Sequence, residues 1–84
     1  MVDVLAKPLA NRELAVCIFN KSGRAKAASA SLREMLKDAY VTLPEAPRYT
    51  VTDVWNNTTF VTQDEVGGEV PGHGVLLYRI KAMS

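Results

Sequence analysis

Two short apolar stretches, LAVCIF at Leu14–Phe19 and VLLY at Val75–Tyr78, decide the fold of this chain. Each is bounded by turn-forming residues and is apolar at successive positions, so both faces of the strand are apolar. Such a pattern is typical of a strand that is covered on both sides. An isolated small β-sandwich would alternate apolar with polar residues instead, because its outer faces meet water. The two stretches therefore predict a β-domain whose outer surface packs on a larger neighbour.

Length and composition fit one small globular domain. The chain has 84 residues, so we expect a single domain over 1–84 with a modest buried core. There are 10 basic and 9 acidic residues and no block of like charge, which argues against a nucleic-acid partner. No apolar run reaches the roughly 20 residues of a membrane span, so no membrane partner is expected. No signal peptide is visible at the N-terminus, and the localisation stays open.

A short helix is expected to interrupt the strands. Residues 25–30 are rich in alanine, and on propensity alone they would continue into a helix. Ser31 followed by Glu34 forms a capping box, however, which places a helix N-terminus at Ser31. We therefore interpret 25–30 as a weak strand and about 31–38 as a short helix, with one apolar face formed by Leu32, Met35 and Leu36.

Turn residues divide the rest of the chain into short strands. Asn56-Asn57 is a strong hairpin signal between an alternating strand at 48–55 and a β-branched strand at 58–63. Further turns are expected at Lys21-Ser22-Gly23, where Gly23 would supply a positive φ, at Gly67-Gly68 and at Pro71–Gly74. Strands at 2–9, 13–20 and 75–81 and a short strand at Glu69-Val70 complete the set. The sequence thus predicts an all-β domain, a small antiparallel Greek-key-like β-sandwich with one helical insertion.

The order of several motifs resembles one known family. Similar segments follow one another in the C-terminal β-sandwich of melibiase-type alpha-galactosidases and related alpha-N-acetylgalactosaminidases. In this chain they are Leu5–Leu9, Leu14–Gly23, Asp53-Val54-Trp55, Val70–Val75 and Leu77–Ile80. The resemblance extends over nearly the whole chain in the expected order.

This resemblance implies a non-catalytic accessory domain. In that family an N-terminal (β/α)8 barrel hydrolyses terminal alpha-galactosides with retention of configuration, using two aspartates. A retaining site holds its two carboxyl groups about 5–5.5 Å apart. Because those aspartates belong to the barrel, no residue of this chain inherits a catalytic role. The implied partner is the barrel of the same polypeptide, and a homo-oligomer formed through the parent enzyme is compatible with this picture.

The residues themselves offer no catalytic, cofactor-binding or metal site. Asp64-Glu65 is the closest carboxylate pair, but neighbours on a strand point to opposite faces, and a solvated loop explains both. Asp53 is expected to cap the turn after its strand, while Trp55 fills the end of the core. We interpret Cys17 as a buried, inert thiol and His73 as a turn residue between two glycines. The chain alone is therefore predicted not to be an enzyme and to need no cofactor.

Two other functions remain open at this point. A carbohydrate-binding module would use exposed aromatic rings, and the candidates are Tyr40, Tyr49, Trp55, Phe60 and Tyr78. All but Tyr40 lie in predicted strands, where core packing is the default. The other alternative is an immunoglobulin-like protein-interaction domain unconnected with sugars, although the paired cysteines of true immunoglobulin domains are missing.

Overall fold

The computed structural model describes residues 2–37 and 43–83. They form β1 (Val2–Pro8), β2 (Leu14–Asn20), β3 (Lys26–Ser31), α1 (Leu32–Met35), β4 (Tyr49–Asp53), β5 (Thr58–Thr62), β6 (Glu65–Val70) and β7 (Val75–Ala82). A single 3₁₀ turn, Ala10–Arg12, joins β1 to β2. The predicted helix end at Asp38 and the candidate aromatic Tyr40 lie outside the described residues.

The strands form two antiparallel sheets that pack face to face. The larger sheet has the strand order β1-β2-β7-β4-β5, and the smaller sheet pairs β3 with β6. The smaller sheet packs over β2 and β7, which lie near the middle of the larger sheet. The predicted class, a small all-β sandwich, is confirmed.

The core lies between the two sheets. On β2, alternation turns Leu14, Val16 and Ile18 inward, and all three are fully buried. They lie next to inward residues of β7, because the register places Leu14 opposite Ile80 and Val16 opposite Tyr78. The remaining buried apolar residues are Ala30, Leu32, Leu43, Tyr49, Val51, Val66 and Val70.

The predicted helix start at Ser31 is confirmed, but the helix is shorter than the predicted 31–38, since α1 ends at Met35 and residues 36–37 form a turn. The Ser31 hydroxyl accepts a hydrogen bond from the Glu34 backbone N–H at 3.3 Å, and α1 begins at the next residue after this cap. Leu32 is buried, while Met35 and Leu36 pack against the core from the same face. The alanine-rich segment before the cap is a strand, because pairing with β6 satisfies its backbone.

Asn20 ties the two sheets together, a role that its sequence context does not reveal. Its side chain is buried at the end of β2, where Nδ2 donates to the carbonyl oxygens of Arg24 at 2.6 Å and Val70 at 3.0 Å. Its Oδ1 accepts from the Ser22 N–H at 2.9 Å. These bonds satisfy backbone groups where the chain leaves one sheet for the other.

Two predicted turns are wrong in detail. Lys21–Gly23 does not close a hairpin, because β2 is already paired with β1 and β7 and the next strand crosses to the smaller sheet. Gly23 accordingly is not among the positive-φ residues. Gly67-Gly68 lies inside β6, opposite Ser29 and Ala28, rather than in a turn. Gly67 has φ of 146°, and a Cβ there would lie 2.1 Å from the Ala28 carbonyl oxygen, so only glycine fits.

Candidate docking surface

The outer face of the larger sheet, turned away from the smaller sheet, presents a row of apolar side chains. The register aligns Leu5 with Cys17 and Cys17 with Leu77 across β1, β2 and β7. Val54 extends this row beyond the end of β4, since its N–H donates to the Leu77 carbonyl at 3.0 Å. Four positions at the usual strand spacing give a row about 14 Å long.

A second, shorter row lies beside the first and completes the surface. Phe19 and Val75 are register partners on β2 and β7, and both share the outward alternation of the first row. We call the two rows together the outer apolar patch; it consists of Leu5, Cys17, Phe19, Val54, Val75 and Leu77. Leu5 is 58% exposed, Val54 47% and Phe19 38%. The patch therefore leaves apolar surface in contact with water.

Cys17 belongs to this patch as an apolar group. Burial raises the pKa of its thiol, so the thiol stays protonated at neutral pH. Reactive cysteines instead have a depressed pKa and a nearby positive charge. The raised pKa is the direction expected of an unreactive thiol, whereas the predicted full burial is wrong, because Cys17 lies on the outer face and is only partly buried.

Charged residues border the patch. Asp3 forms an ion pair with Lys21 beside Phe19, and Glu13 pairs with Arg79 at 3.4 Å toward the other end of the sheet. Such exposed pairs contribute little to stability, but an apolar centre with a polar rim is the usual anatomy of a protein interface. Ala15 lies between Lys7 and Arg79 in the register, so the patch ends at this row of the outer face.

The β4–β5 hairpin holds Asp53 and Trp55 in different environments. Asp53 Oδ1 accepts from the backbone N–H groups of Trp55 at 3.1 Å and Asn56 at 3.2 Å, and Oδ2 accepts from Asn56 Nδ2 at 2.9 Å. The hydrogen bond from the Asn56 side chain is the main cause that lowers the pKa of Asp53. The predicted capping role of Asp53 is thus confirmed.

The predicted core position of Trp55 is wrong. Trp55 is 64% exposed, because β4 ends at Asp53 and the chain turns before the indole can reach the core. Period-two alternation, which led to the prediction, no longer applies once the strand has ended.

The other candidate polar residues have structural roles. Asp64 accepts hydrogen bonds from the Ser31 hydroxyl at 2.8 Å and the Arg33 N–H at 2.9 Å, so it helps to cap α1 from a distant part of the chain. The Arg33 N–H is the main cause that lowers the pKa of Asp64. This contact could not be predicted from the sequence, since 31 residues separate its partners. His73 has φ of 55° within the turn at Pro71–Gly74, as expected of a turn residue.

The candidate aromatic residues do not form one exposed platform in the part of the chain that the structure describes. Tyr49 and Tyr78 are buried, and the Tyr49 hydroxyl accepts from the Ala46 N–H at 3.0 Å. Phe60 is 40% exposed and packs edge-on against Tyr78, with ring centroids 6.2 Å apart. A flat sugar surface needs several coplanar exposed rings, and Trp55 is the one candidate that is mostly exposed here.

The described residues offer little else that resembles a reaction site. Within 2–37 and 43–83, no three His, Cys, Asp or Glu side chains lie close enough together to hold a metal ion. An open depression of about 360 Å³ over the smaller sheet is lined by Ala27–Ser29 and Glu65–Gly68, which supply a single carboxylate. No helix in these ranges is long and apolar enough to cross a membrane.

Residues 1–80 match the family of the alpha galactosidase C-terminal beta sandwich domain. The chain belongs to this family, as its motif order predicted. A search of curated proteins finds no match.

Solved structures with the same fold are much longer chains. Alpha-galactosidase I from Mortierella vinacea superposes with a TM-score of 0.81 at 21% identity over 99% of this chain and 22% of its own. A variant of the GH27 β-L-arabinopyranosidase from Geobacillus stearothermophilus, in complex with arabinose, gives 0.79 at 17% identity over 99% of this chain. It is covered to 18% of its length, and the wild-type enzyme, at 0.77 and 17% identity over 95% of this chain, to 17%. This chain thus spans about a fifth of the structures that it resembles.

Proposed function

We propose that this chain is a non-catalytic C-terminal domain of an alpha-galactosidase-like glycoside hydrolase, and that its outer apolar patch packs against a (β/α)8 catalytic barrel. The barrel hydrolyses terminal alpha-galactosides, and the sandwich stabilises it by covering apolar surface. Membership of the alpha galactosidase C-terminal family supports the parent enzyme. The share of 17–22% in the matched structures leaves room for a catalytic domain of the expected size.

The single observation behind the docking surface is the outer apolar patch. Leu5, Phe19 and Val54 expose large apolar side chains within one patch on the outer sheet face, and Lys7 and Arg79 flank this patch in the next row of the same face. Contiguous apolar surface with a polar border marks interaction sites in soluble proteins. Covering one such side chain contributes about 1.5–3 kcal/mol, so the patch can hold two domains together.

The test places a charge in the patch. Leu5→Asp is made in the polypeptide that the complete gene encodes and in the 84-residue chain. In the 84-residue chain the new carboxylate stays in water. The free energy of unfolding should therefore change by less than about 0.5 kcal/mol, as for exposed sites in general. In the complete polypeptide it would be buried without a partner, and we expect a loss of several kcal/mol in domain docking.

Val61→Asp is the matched control. Val61 is 51% exposed on the same sheet face, opposite Thr50 and outside the patch. Docking is measured by cleavage between the domains under native conditions and by residual alpha-galactosidase activity after heating. Equal behaviour of the two variants in the complete polypeptide would contradict the proposal.

The alternative function, a carbohydrate-binding module, rests on the exposure of Trp55. Titration of the chain with galactosides, followed by Trp55 fluorescence and amide chemical shifts, distinguishes the two. We expect no response up to millimolar sugar. A saturable response that Trp55→Ala removes would favour the module.

A further inference from the structure

Trp55 is the most exposed large apolar side chain among the described residues, at 64%. An indole in water gives up one of the largest apolar contributions that any side chain can make to packing. Here the fold does not use it, since the nearby core is closed by Tyr78 and its edge-on contact with Phe60. The side chain therefore calls for a partner outside the described fold.

The backbone around Trp55 is fixed before any partner arrives. Asp53 binds the N–H groups of Trp55 and Asn56 and the Asn56 side chain, which makes three hydrogen bonds from one carboxylate. The preceding residue, Val54, is held to Leu77 by its N–H. On the other side Asn57, with φ of 54°, reverses the chain into β5. A preorganised turn lowers the entropy that is lost on association.

The position of Trp55 links it to the docking surface. Val54 is a member of the outer apolar patch, and Trp55 is the next residue along the chain. The patch lies on the half of the sheet where β4 ends and β7 begins, which is the end that presents the hairpin tip. A hairpin tip at the edge of an apolar surface can insert into a recess of a partner while the surface packs beside it.

We propose that Trp55 is the anchor of the docking interface, inserted into an apolar recess of the catalytic part of the parent polypeptide, and that Asp53 is the residue that positions it. This inference rests on the proposed function. The occupant is argued from the matched structures, in which about four fifths of each chain lies outside the equivalent of this domain. Tryptophan is enriched among the few residues that dominate interface energies, and such residues are surrounded by less critical apolar contacts.

The test compares Trp55→Ala with Val61→Ala in the complete polypeptide and in the 84-residue chain. Native-state proteolysis between the domains reports the population of the undocked form. We expect Trp55→Ala to raise the cleavage rate about 30-fold or more in the complete polypeptide, the change produced by a hot-spot residue. Val61→Ala, exposed on the outer face of the larger sheet but outside the patch, should keep the cleavage rate within about twofold, as for a peripheral contact. Neither should change the unfolding of the 84-residue chain.

Further variants separate anchoring from a structural role. Trp55→Phe should restore most of the docking, because an aromatic ring still fills the recess. Asp53→Ala should raise the cleavage rate by less than Trp55→Ala, because the turn loosens but the indole remains. If Trp55→Ala weakens the 84-residue chain as much as the complete polypeptide, Trp55 has a role in folding and the inference is wrong.

The outcomes also distinguish this inference from the proposed function. If Leu5→Asp releases the domain and Trp55→Ala does not, the domain docks through its patch without this anchor. If neither variant acts, or if the complete gene encodes no catalytic domain, the proposed function fails and the anchor with it. Self-association of the 84-residue chain that Trp55→Ala abolishes would assign the tip to a second copy, and a galactoside response would assign it to sugar.

Discussion

The two faces of the larger sheet are built from the same strands, yet their apolar side chains differ in burial. Leu14, Val16 and Ile18 on the inner face of β2 are fully buried by the smaller sheet and the loops around it. On the outer face of the same strand, Cys17 is half-buried and Phe19 is exposed. Packing in the core of this domain accounts for the apolar residues of the inner face. It does not account for the exposed apolar residues of the outer face, and these are the residues that we propose to be covered by a neighbouring domain.

The largest effect on stability is expected from a substitution on the inner face. Ile18→Ala removes a fully buried side chain between the sheets and should destabilise the chain by about 4 kcal/mol, through lost burial and the cavity that remains. Cys17→Ala, one residue away on the outer face, should cost less than about 1 kcal/mol, because much of that position is not enclosed. Urea unfolding of both variants checks the difference. Similar losses would mean that the outer face is part of the core; if Ile18→Ala does not fold, Ile18→Val should still lose about 1 kcal/mol.

The second-largest effect is expected from a substitution in the smaller sheet, which covers the inner face of the larger one. Gly67→Ala would force a Cβ to within 2.1 Å of the Ala28 carbonyl oxygen at a φ that favours glycine, so β6 must shift away from β3. We expect a loss of about 2–3 kcal/mol, the cost of overpacking a tight contact.

The neighbouring glycine provides the control for this change. Nothing lies within 4 Å of a Cβ placed at Gly68, so Gly68→Ala should be nearly neutral. Thermal unfolding together with binding of a hydrophobic dye would show whether Gly67→Ala alone uncovers the core. Equal unfolding temperatures for the two variants would contradict this account of the close contact.

The smallest expected effect is on the stability of the fold at acid pH. Hydrogen bonds lower the folded-state pKa of Asp53 and Asp64 below the unfolded value of about 3.9, so the unfolded chain binds more protons in the acid range. Their stabilising contribution is therefore complete above about pH 5 and is lost as the pH falls through the folded pKa. Asp64→Asn should flatten the acid limb of stability against pH, and Ser31→Ala should flatten it less. Urea midpoints measured between neutral and acid pH check this, and an unchanged limb in Asp64→Asn would be the contrary result.

Local signals allowed much of the fold to be predicted from the sequence. The Ser31 cap outweighed alanine propensity at 25–30, and the Asn56-Asn57 turn fixed the β4–β5 hairpin. The pairing of the strands was harder to predict. After Gly23 the chain crosses to the smaller sheet because both edges of β2 are already paired, with β1 and β7. Gly67-Gly68 looked like a turn since glycine serves close approach and chain reversal equally well.

The candidate surface was predictable in outline only. The two-sided apolar pattern of Leu14–Phe19 and Val75–Tyr78 indicated an outer contact face, and the register places its members side by side. The roles of Asn20 and Asp64 were hidden, because each depends on hydrogen bonds between distant segments. The predicted position of Trp55 was wrong because the alternation of the strand was continued two residues beyond its end at Asp53. Its exposure is seen only in the structure.

The strand order also determines when the domain can fold. β7, the last strand, lies between β2 and β4, so it joins two halves of the larger sheet that otherwise share no backbone pairing. The larger sheet closes only when Val75–Ala82 pairs with both β2 and β4. Closure of the larger sheet is therefore a long-range event in the chain, and a chain that lacks β7 would keep the β1–β2 and β4–β5 hairpins without any backbone pairing between them.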